Sequence, residues 1–322
     1  MDVTTESALA PRQGADVLAL AVRSTTHDDV RPLSEQTVLD VRRLPEEGGT
    51  DPQTAHLLVL DRPGEIDAKV LGYAHVDQHE AQATVELVVH PDARRFGVGT
   101  MLAEAVMERW PSAKCWAHGH LPAAQALAGR LGMHVVRELW QMSRPLRGEW
   151  SELPDAPVPQ GFATRSFEVG ADEQGWLAVN ARAFAQHAEQ GRMTLSDLRD
   201  RMREPWFDPH GFLLVEDVRE QGAPRLAGFH WTKVEPAAPG SSTQVAGEVY
   251  VVGVDPAYQG QGLGLVTTVL GLRHLRACGL PTATLYVDGD NAAAIATYHR
   301  LGFERTAVDV MYARENGSGP QR

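Results

Sequence analysis

The chain of 322 residues contains two cysteines, Cys115 and Cys278, so no disulfide framework holds it and a reducing, cytoplasmic setting is expected. It has no apolar run of membrane length, and the opening MDVTTESALA is polar and acidic, which argues against a signal peptide and a spanning helix. Basic side chains are in deficit. Thirty Lys and Arg against 42 Asp and Glu leave a net charge of −12, which disfavours a nucleic-acid surface and suits a cationic acceptor such as an amine. The thirteen histidines are scattered without ligand spacing, so no metal is expected. A Gly-x-x-x-x-Gly-Lys-Ser/Thr string is missing, which removes nucleoside-triphosphate loops from consideration.

What is present centres on GEVYVVGVDPAYQGQGLG, Gly247 to Gly264. Tyr250, Val251, Val252 and Val254 are strand formers, and Pro256 cannot donate to a ladder, so a strand ends near Asp255. The glycine turn that follows leads into Leu265, Val269, Leu272 and Leu275 at helical spacing. Backbone N–H groups of such a turn, together with a helix N-terminus, suit an anion such as a pyrophosphate. Gly260, Gly262 and Gly264 are spaced two and two, unlike a dinucleotide fingerprint.

The same order occurs earlier. Pro91, Arg94, Gly97 and Gly99 precede Pro256, Gln259, Gly262 and Gly264 by a constant 165 positions, and Arg130-Leu131-Gly132 precedes Arg300-Leu301-Gly302 by 170. One offset held over several landmarks points to a duplicated domain. The Pro-rich stretch from Pro145 to Gly161 reads as a linker, giving domains 1–145 and 161–322 joined by 146–160. The Ala-, Pro-, Gly- and Ser-rich stretch from Glu235 to Ala246 reads as a mobile loop, and the tail after Arg314 as frayed. By the offsets, Glu248, Tyr298 and Asn291 correspond to Ala83, Ala128 and Leu121, so one copy carries a carboxylate, a phenol and an amide where the other is apolar. Glu86 lies three residues nearer the turn than Ala83, which places it on the opposite face of a strand. A carboxylate to take an amine proton and a phenol to protonate a leaving thiolate are what amide formation from a thioester requires.

The motif Gln259-x-x-Gly262-x-Gly264 resembles the pyrophosphate loop of the GCN5-related N-acetyltransferases (GNAT). ELVVHPDARRFGVGT, CWAHGH, WFDPHG, GFHWTKV, GEVYVVGVDP and LYVDGDNAAAIATYHRLGF further resemble the mycothiol synthase family within it. The resemblance implies an α/β (α+β) fold of two tandem GNAT domains, each a mixed, mostly antiparallel sheet flanked by helices. It implies that acetyl-CoA donates an acetyl group to the cysteinyl amine of a small pseudodisaccharide, with Glu248 and Tyr298 catalytic and no metal, nucleic acid or membrane partner, in a monomer. Acetyl-CoA would then meet Val252, Gly253, Val254, Gln259, Gly260, Gln261, Gly262, Leu263, Gly264 and Leu265, with Asn291, Ala292, Ala293, Ala294, Ile295 and Ala296. A second, inert cofactor site would comprise Leu87, Val88, Val89, Arg95, Phe96, Gly97, Val98, Gly99 and Thr100. The acceptor would meet Glu35, Glu189, Lys233, Glu248 and Tyr286. Two departures from the family pattern bear on the acceptor: His187-Ala188-Glu189-Gln190-Gly191 where His-Pro-Glu-Gln-Gly is expected, and a short connection from Arg276 to Pro281 without an acidic contact. Two rival readings are a tandem acetyltransferase for another amine (an aminoglycoside or a peptide N-terminus) and a non-catalytic CoA-sensing module.

Overall fold

The computed structural model describes residues 2–43, 53–62, 64–65, 68–78, 82–149, 151–185, 188–220, 222–235 and 246–314, the side chains at 188 and 189 excepted. The expected loop from Glu235 to Ala246 and the tail after Arg314 therefore fall largely outside the described residues. Two compact units form, Met1–Leu139 with Ala307–Arg322, and Trp140–Thr306.

The first unit runs β1 (Val3–Glu6), α1 (Pro11–Asp28), α2 (Glu35–Arg42), β2 (Thr54–Leu60), β3 (Val70–Asp77), β4 (Thr84–Val89), α3 (Val98–Arg109), β5 (Lys114–Ala117) and α4 (Pro122–Arg130), and then enters β6 (Met133–Pro145). The second contains β7 (Phe162–Ser166), α5 (Glu173–Ala183), α6 (Ala188–Gly191), α7 (Leu195–Met202), β8 (Phe212–Asp217), β9 (Arg225–Lys233), β10 (Gly247–Val254), α8 (Leu263–Ala277), β11 (Thr282–Asp288) and α9 (Ala292–Arg300), and leads into β12 (Glu304–Arg314). Among the described residues, no helix is long and apolar enough to cross a membrane.

Each unit is a mixed sheet in which one parallel pair interrupts antiparallel neighbours. β4 pairs antiparallel with β3 and parallel with β5; β10 pairs antiparallel with β9 and parallel with β11. The polar N-terminal segment carried no strand signal, yet Val3–Glu6 pairs antiparallel with His56–Val59, because an edge strand needs only one buried side. The two long strands are divided between the units. Residues 133–139 of β6 belong to the first and 140–145 to the second, whereas β12 gives 304–306 to the second and 307–314 to the first, where Val310–Tyr312 pair with Cys115–Ala117.

Aromatic residues are only 7% of the chain, but one face of the second unit concentrates them: Trp176, Trp206, Phe212, Phe229 and Trp231 form its core under α5 and α7. On the other face, α8 packs Val266, Val269, Leu272 and Leu275 against Ala283, Leu285 and Val287; three of these are the residues expected, whereas Leu265 is exposed and Val266 takes the buried place instead. A fully buried His230 sits beneath α8, with its Nδ1 2.9 Å from the Thr267 carbonyl. Burial without a charge partner pushes its pKa down to about 4, so the ring is neutral and donates from Nδ1. Gly271 is required here: a Cβ on it would stand 2.1 Å from the imidazole.

Candidate active site

The second glycine turn has the backbone its sequence demands. Gly260 and Gly262 have φ of +78° and +79°, and Gly262 is the N-cap of α8, so the first amides of the helix open at the turn. Gly264 is helical, and a Cβ on it would meet nothing within 4 Å, so neither strain nor protein packing calls for glycine there. Open space above the helix N-terminus is what a close-approaching pyrophosphate requires. A cavity of about 700 Å³ lies over this turn; Gln259, Gly260, Gly262, Leu263, Gly264 and Leu265 line one wall. Thr297, Arg300 and Leu301 of the α9 region, Tyr258, Val254 and Pro154 complete it. Gly253 is glycine for a different reason, since a Cβ would press on the Phe229 ring at 2.8 Å.

The first turn matches in outline. Gly97 is the N-cap of α3 with φ +90°, and Arg95 takes the left-handed position held by Gly260 in the second copy, with φ +70°. Arg94, the counterpart of Gln259, is turned inward: its guanidinium donates to Asp28 at 2.7 and 2.6 Å and to the Val89 carbonyl at 3.2 Å. Phe96 is exposed and Val98 buried.

Above each turn the parallel strands part. The β10–β11 ladder covers Gly247 to Val249, and the β4–β5 ladder covers Thr84 to Glu86, so Val252–Val254 and Leu87–Val89 lie beyond the paired stretch. Backbone groups on that edge are positioned to hydrogen-bond a strand-like substituent and to donate N–H to a carbonyl oxygen.

Register corrects one inference drawn from the offset. The irregularity between Val249 and Val251 adds a residue to β10, so Val249 packs with the α8 cluster and Val251 with the α5 cluster. Glu248 pairs with Lys233 as Thr84 pairs with Asp77, and with Thr284 as Thr84 pairs with Lys114, so its counterpart is Thr84 and not Ala83. Glu86 therefore shares the face of that counterpart, and direction is not what sets it apart. Its surroundings are. Glu86 is buried, accepts the Ser34 N–H at 2.8 Å, and lies 3.2 Å from His118 Nε2, whose Nδ1 is 2.9 Å from Asp309. Burial opposes its charge, but the His118 and Ser34 hydrogen bonds prevail and hold it at about 2. The two carboxylates raise His118 to about 10 against the cost of burying its charge.

On the second unit's face opposite α8, Glu248 stands beside Lys233 and Thr284, with Tyr286 two residues further along β11. Lys233 is buried; its Nζ lies 4.9 Å above the Trp206 ring and 5.3 Å above that of Tyr250, and it pairs with Glu235 at 2.9 Å. Tyr286 is exposed, and its hydroxyl accepts from Gln141 at 3.3 Å. Tyr298 packs from the other side, against the α8 cluster, with its ring edge-on to Phe303 at 5.8 Å. Burial pushes the phenol up to about 12, so it keeps its proton at neutral pH. Its counterpart Ala128 is a buried core methyl.

Asn291 is the N-cap of α9, accepting the Ala294 N–H at 3.1 Å, whereas Leu121 offers no side-chain cap to α4. Of α9, the later residues Thr297 and Arg300 line the cavity and the expected Asn291–Ala296 do not; Tyr258 directly precedes the turn, while Pro154 comes from the stretch read as a linker, where no sequence signal marked it. Glu35 opens α2 in the first unit behind its N-cap Ser34, and the Glu189 side chain lies outside the described residues.

Residues 22–133 and 179–303 each match the acetyltransferase (GNAT) family. The chain is 50% identical over 307 residues to the mycothiol acetyltransferase of Thermomonospora curvata, covering 94% of both chains. It is 47% identical over 315 residues to that of Thermobispora bispora, covering 98% of this chain and 100% of the other. Among solved structures, a tandem GNAT protein from the clavulanic acid biosynthesis pathway superimposes with a TM-score of 0.68 at 20% identity, covering 99% and 100% of the two chains, which establishes likeness of fold. A GCN5-related N-acetyltransferase from Sphaerobacter thermophilus does so with 0.60 at 21% identity, covering 96% and 94%. With two matching copies, two parted parallel pairs and two glycine-capped helices, the chain belongs to the acetyltransferase (GNAT) family in tandem form, alongside the mycothiol acetyltransferases.

Proposed function

We propose that this protein transfers acetyl from acetyl-CoA to the cysteinyl amine of 1D-myo-inositol 2-(L-cysteinylamino)-2-deoxy-glucopyranoside, giving mycothiol and CoA, with chemistry confined to the second unit. The observation that carries it is 50% identity to a mycothiol acetyltransferase, with 94% of both chains covered. The residues present fit acetyl-CoA, since the Gly264 approach and the α8 amides suit its pyrophosphate, and the parted edge at Val252–Val254 suits its extended arm. When bound, acetyl-CoA supplies the activated acyl group.

The α-amino group of the acceptor titrates near pH 8, about two units below a lysine side chain, so a carboxylate needs only to accept the proton as the N–C bond forms. Glu248 takes that proton, directly or through one water. Backbone N–H groups near Val252 stabilise the carbonyl oxygen while the C–S bond breaks. Tyr298 gives its proton to the departing sulfur. A phenol near 12 loses nothing to water at neutral pH and releases its proton only as charge accumulates on sulfur. Lys233 and Tyr286 donate to acceptor hydroxyls beside Glu248.

Incubation with acetyl-CoA and the cysteinyl pseudodisaccharide, read by product mass and free CoA thiol, tests this. One added acetyl per acceptor is expected. Absence of product, or preference for an amine-bearing sugar without the cysteinyl unit, would overturn it.

A further inference from the structure

Arg144 is a large, fully buried side chain, and its charge faces backbone carbonyls. Its guanidinium donates to the carbonyls of Pro145 at 3.1 Å, Glu152 at 3.1 Å and Leu301, the C-cap of α9. The helix end it touches is tightly specified. Gly302 has φ +80°, the Phe303 N–H donates to the Tyr298 carbonyl at 3.0 Å, the Gly302 N–H to His299 at 2.9 Å, and the Phe303 and Tyr298 rings meet. Leu301 is thus one residue from a closure that includes Tyr298 itself. Its carbonyl is among those an α-helix leaves without an internal partner. Arg144 also holds the chain at Glu152, two residues before Pro154, which walls the cavity shared with Thr297 and Leu301.

The duplication repeats the device. Arg314 is 170 positions after Arg144, and its Nε donates to the Leu131 carbonyl at 3.0 Å, Leu131 being 170 before Leu301. Each arginine ends the long strand of one repeat and holds the helix of the other repeat's sequence. In the first unit the helix so held carries Ala128, and in the second it carries Tyr298.

We propose that Arg144 is a positioning residue for acetyl transfer, holding the C-terminal end of α9 and with it the Tyr298 hydroxyl. The inference rests on the reading of Tyr298 as proton donor. Neutral methionine of similar length leaves three carbonyls without their donor, and lysine keeps the charge but lacks the planar fork.

The test is a double-mutant cycle of Arg144→Met and Tyr298→Phe, with Arg144→Lys used should the Met variant not fold, and Arg314→Met as the matched control. Arg144→Met is expected to lower kcat about tenfold or more with little change in KM for the acceptor, a loss in scale with small misplacements of reacting groups. It adds nothing once Tyr298 is Phe, Arg144→Lys recovers part of the loss, and Arg314→Met leaves kcat near wild type. Additive losses in the cycle, wild-type kcat for Arg144→Met, or equal losses for the two arginines would overturn the inference. Should the wild-type protein not acetylate the cysteinyl amine, the substrate assignment falls and amide exchange decides the inference alone. Faster exchange at 301–303 in the Arg144 variant, with 131–133 unchanged, supports it, and unaltered protection at 301–303 refutes it.

Discussion

Two glutamates on equivalent strands have opposite fates. Glu86 is bound by Ser34 and His118 and held near 2, too weak a base for an amine proton, whereas Glu248 stands among groups suited to an acceptor. Glu248→Gln and Tyr298→Phe are each expected to lower kcat about a hundredfold or more, while Glu86→Gln leaves it within a few-fold and lowers the melting temperature; steady-state kinetics beside thermal unfolding separates the two. That Tyr298 stands where the other repeat has the apolar Ala128 was legible in the chain, because duplication supplied a comparison. The partner of Glu248 was not, since a one-residue bulge leaves no mark on an offset measured at the turn. Nor did position along the strand reveal why Glu86 is silent: that depends on Ser34, His118 and Asp309, which folding brings to it from three separate stretches.

At the scale of elements, the two turn glycines separate into conformational and steric roles. Gly262→Ala forces a side chain to φ +79° and is expected to destabilise by about 1–2 kcal/mol. Gly264→Ala adds a Cβ with no protein heavy atom within 4 Å, changes stability by no more than about 1 kcal/mol, and weakens acetyl-CoA binding; calorimetric titration with thermal melts distinguishes these outcomes. Beneath α8 the contact is internal. Gly271→Ala drives a methyl into His230 and is expected to destabilise by about 1–3 kcal/mol, with His230→Ala relieving the clash in the double variant. Strand, turn and helix around both turns were readable because apolar period, proline and glycine agree locally. β1 was not, because its four residues gain their stability from pairing with β2.

Across the molecule, pH acts on the two units through different histidines. His230 is held near 4, below its ordinary 6.5, so the unfolded chain binds the extra proton between those values. Its contribution is complete above 6.5 and falls away toward pH 4, by up to about 3 kcal/mol. His118 is held near 10, so its contribution is complete below 6.5 and is lost as pH rises toward 10. Denaturant unfolding of wild type against His230→Leu should show a difference that grows from pH 4 to 6.5, and against His118→Gln one that shrinks from 6.5 to 10. The repeats were plain in the sequence, whereas the return of Ala307–Arg314 to the first unit was not, since a strand's own pattern does not name its neighbour. That return has a consequence during synthesis. The first unit's opening residues leave the ribosome early, but the strand that pairs with its β5 follows only after residues 140–306 of the second, so this half waits, incomplete, until the other has been made.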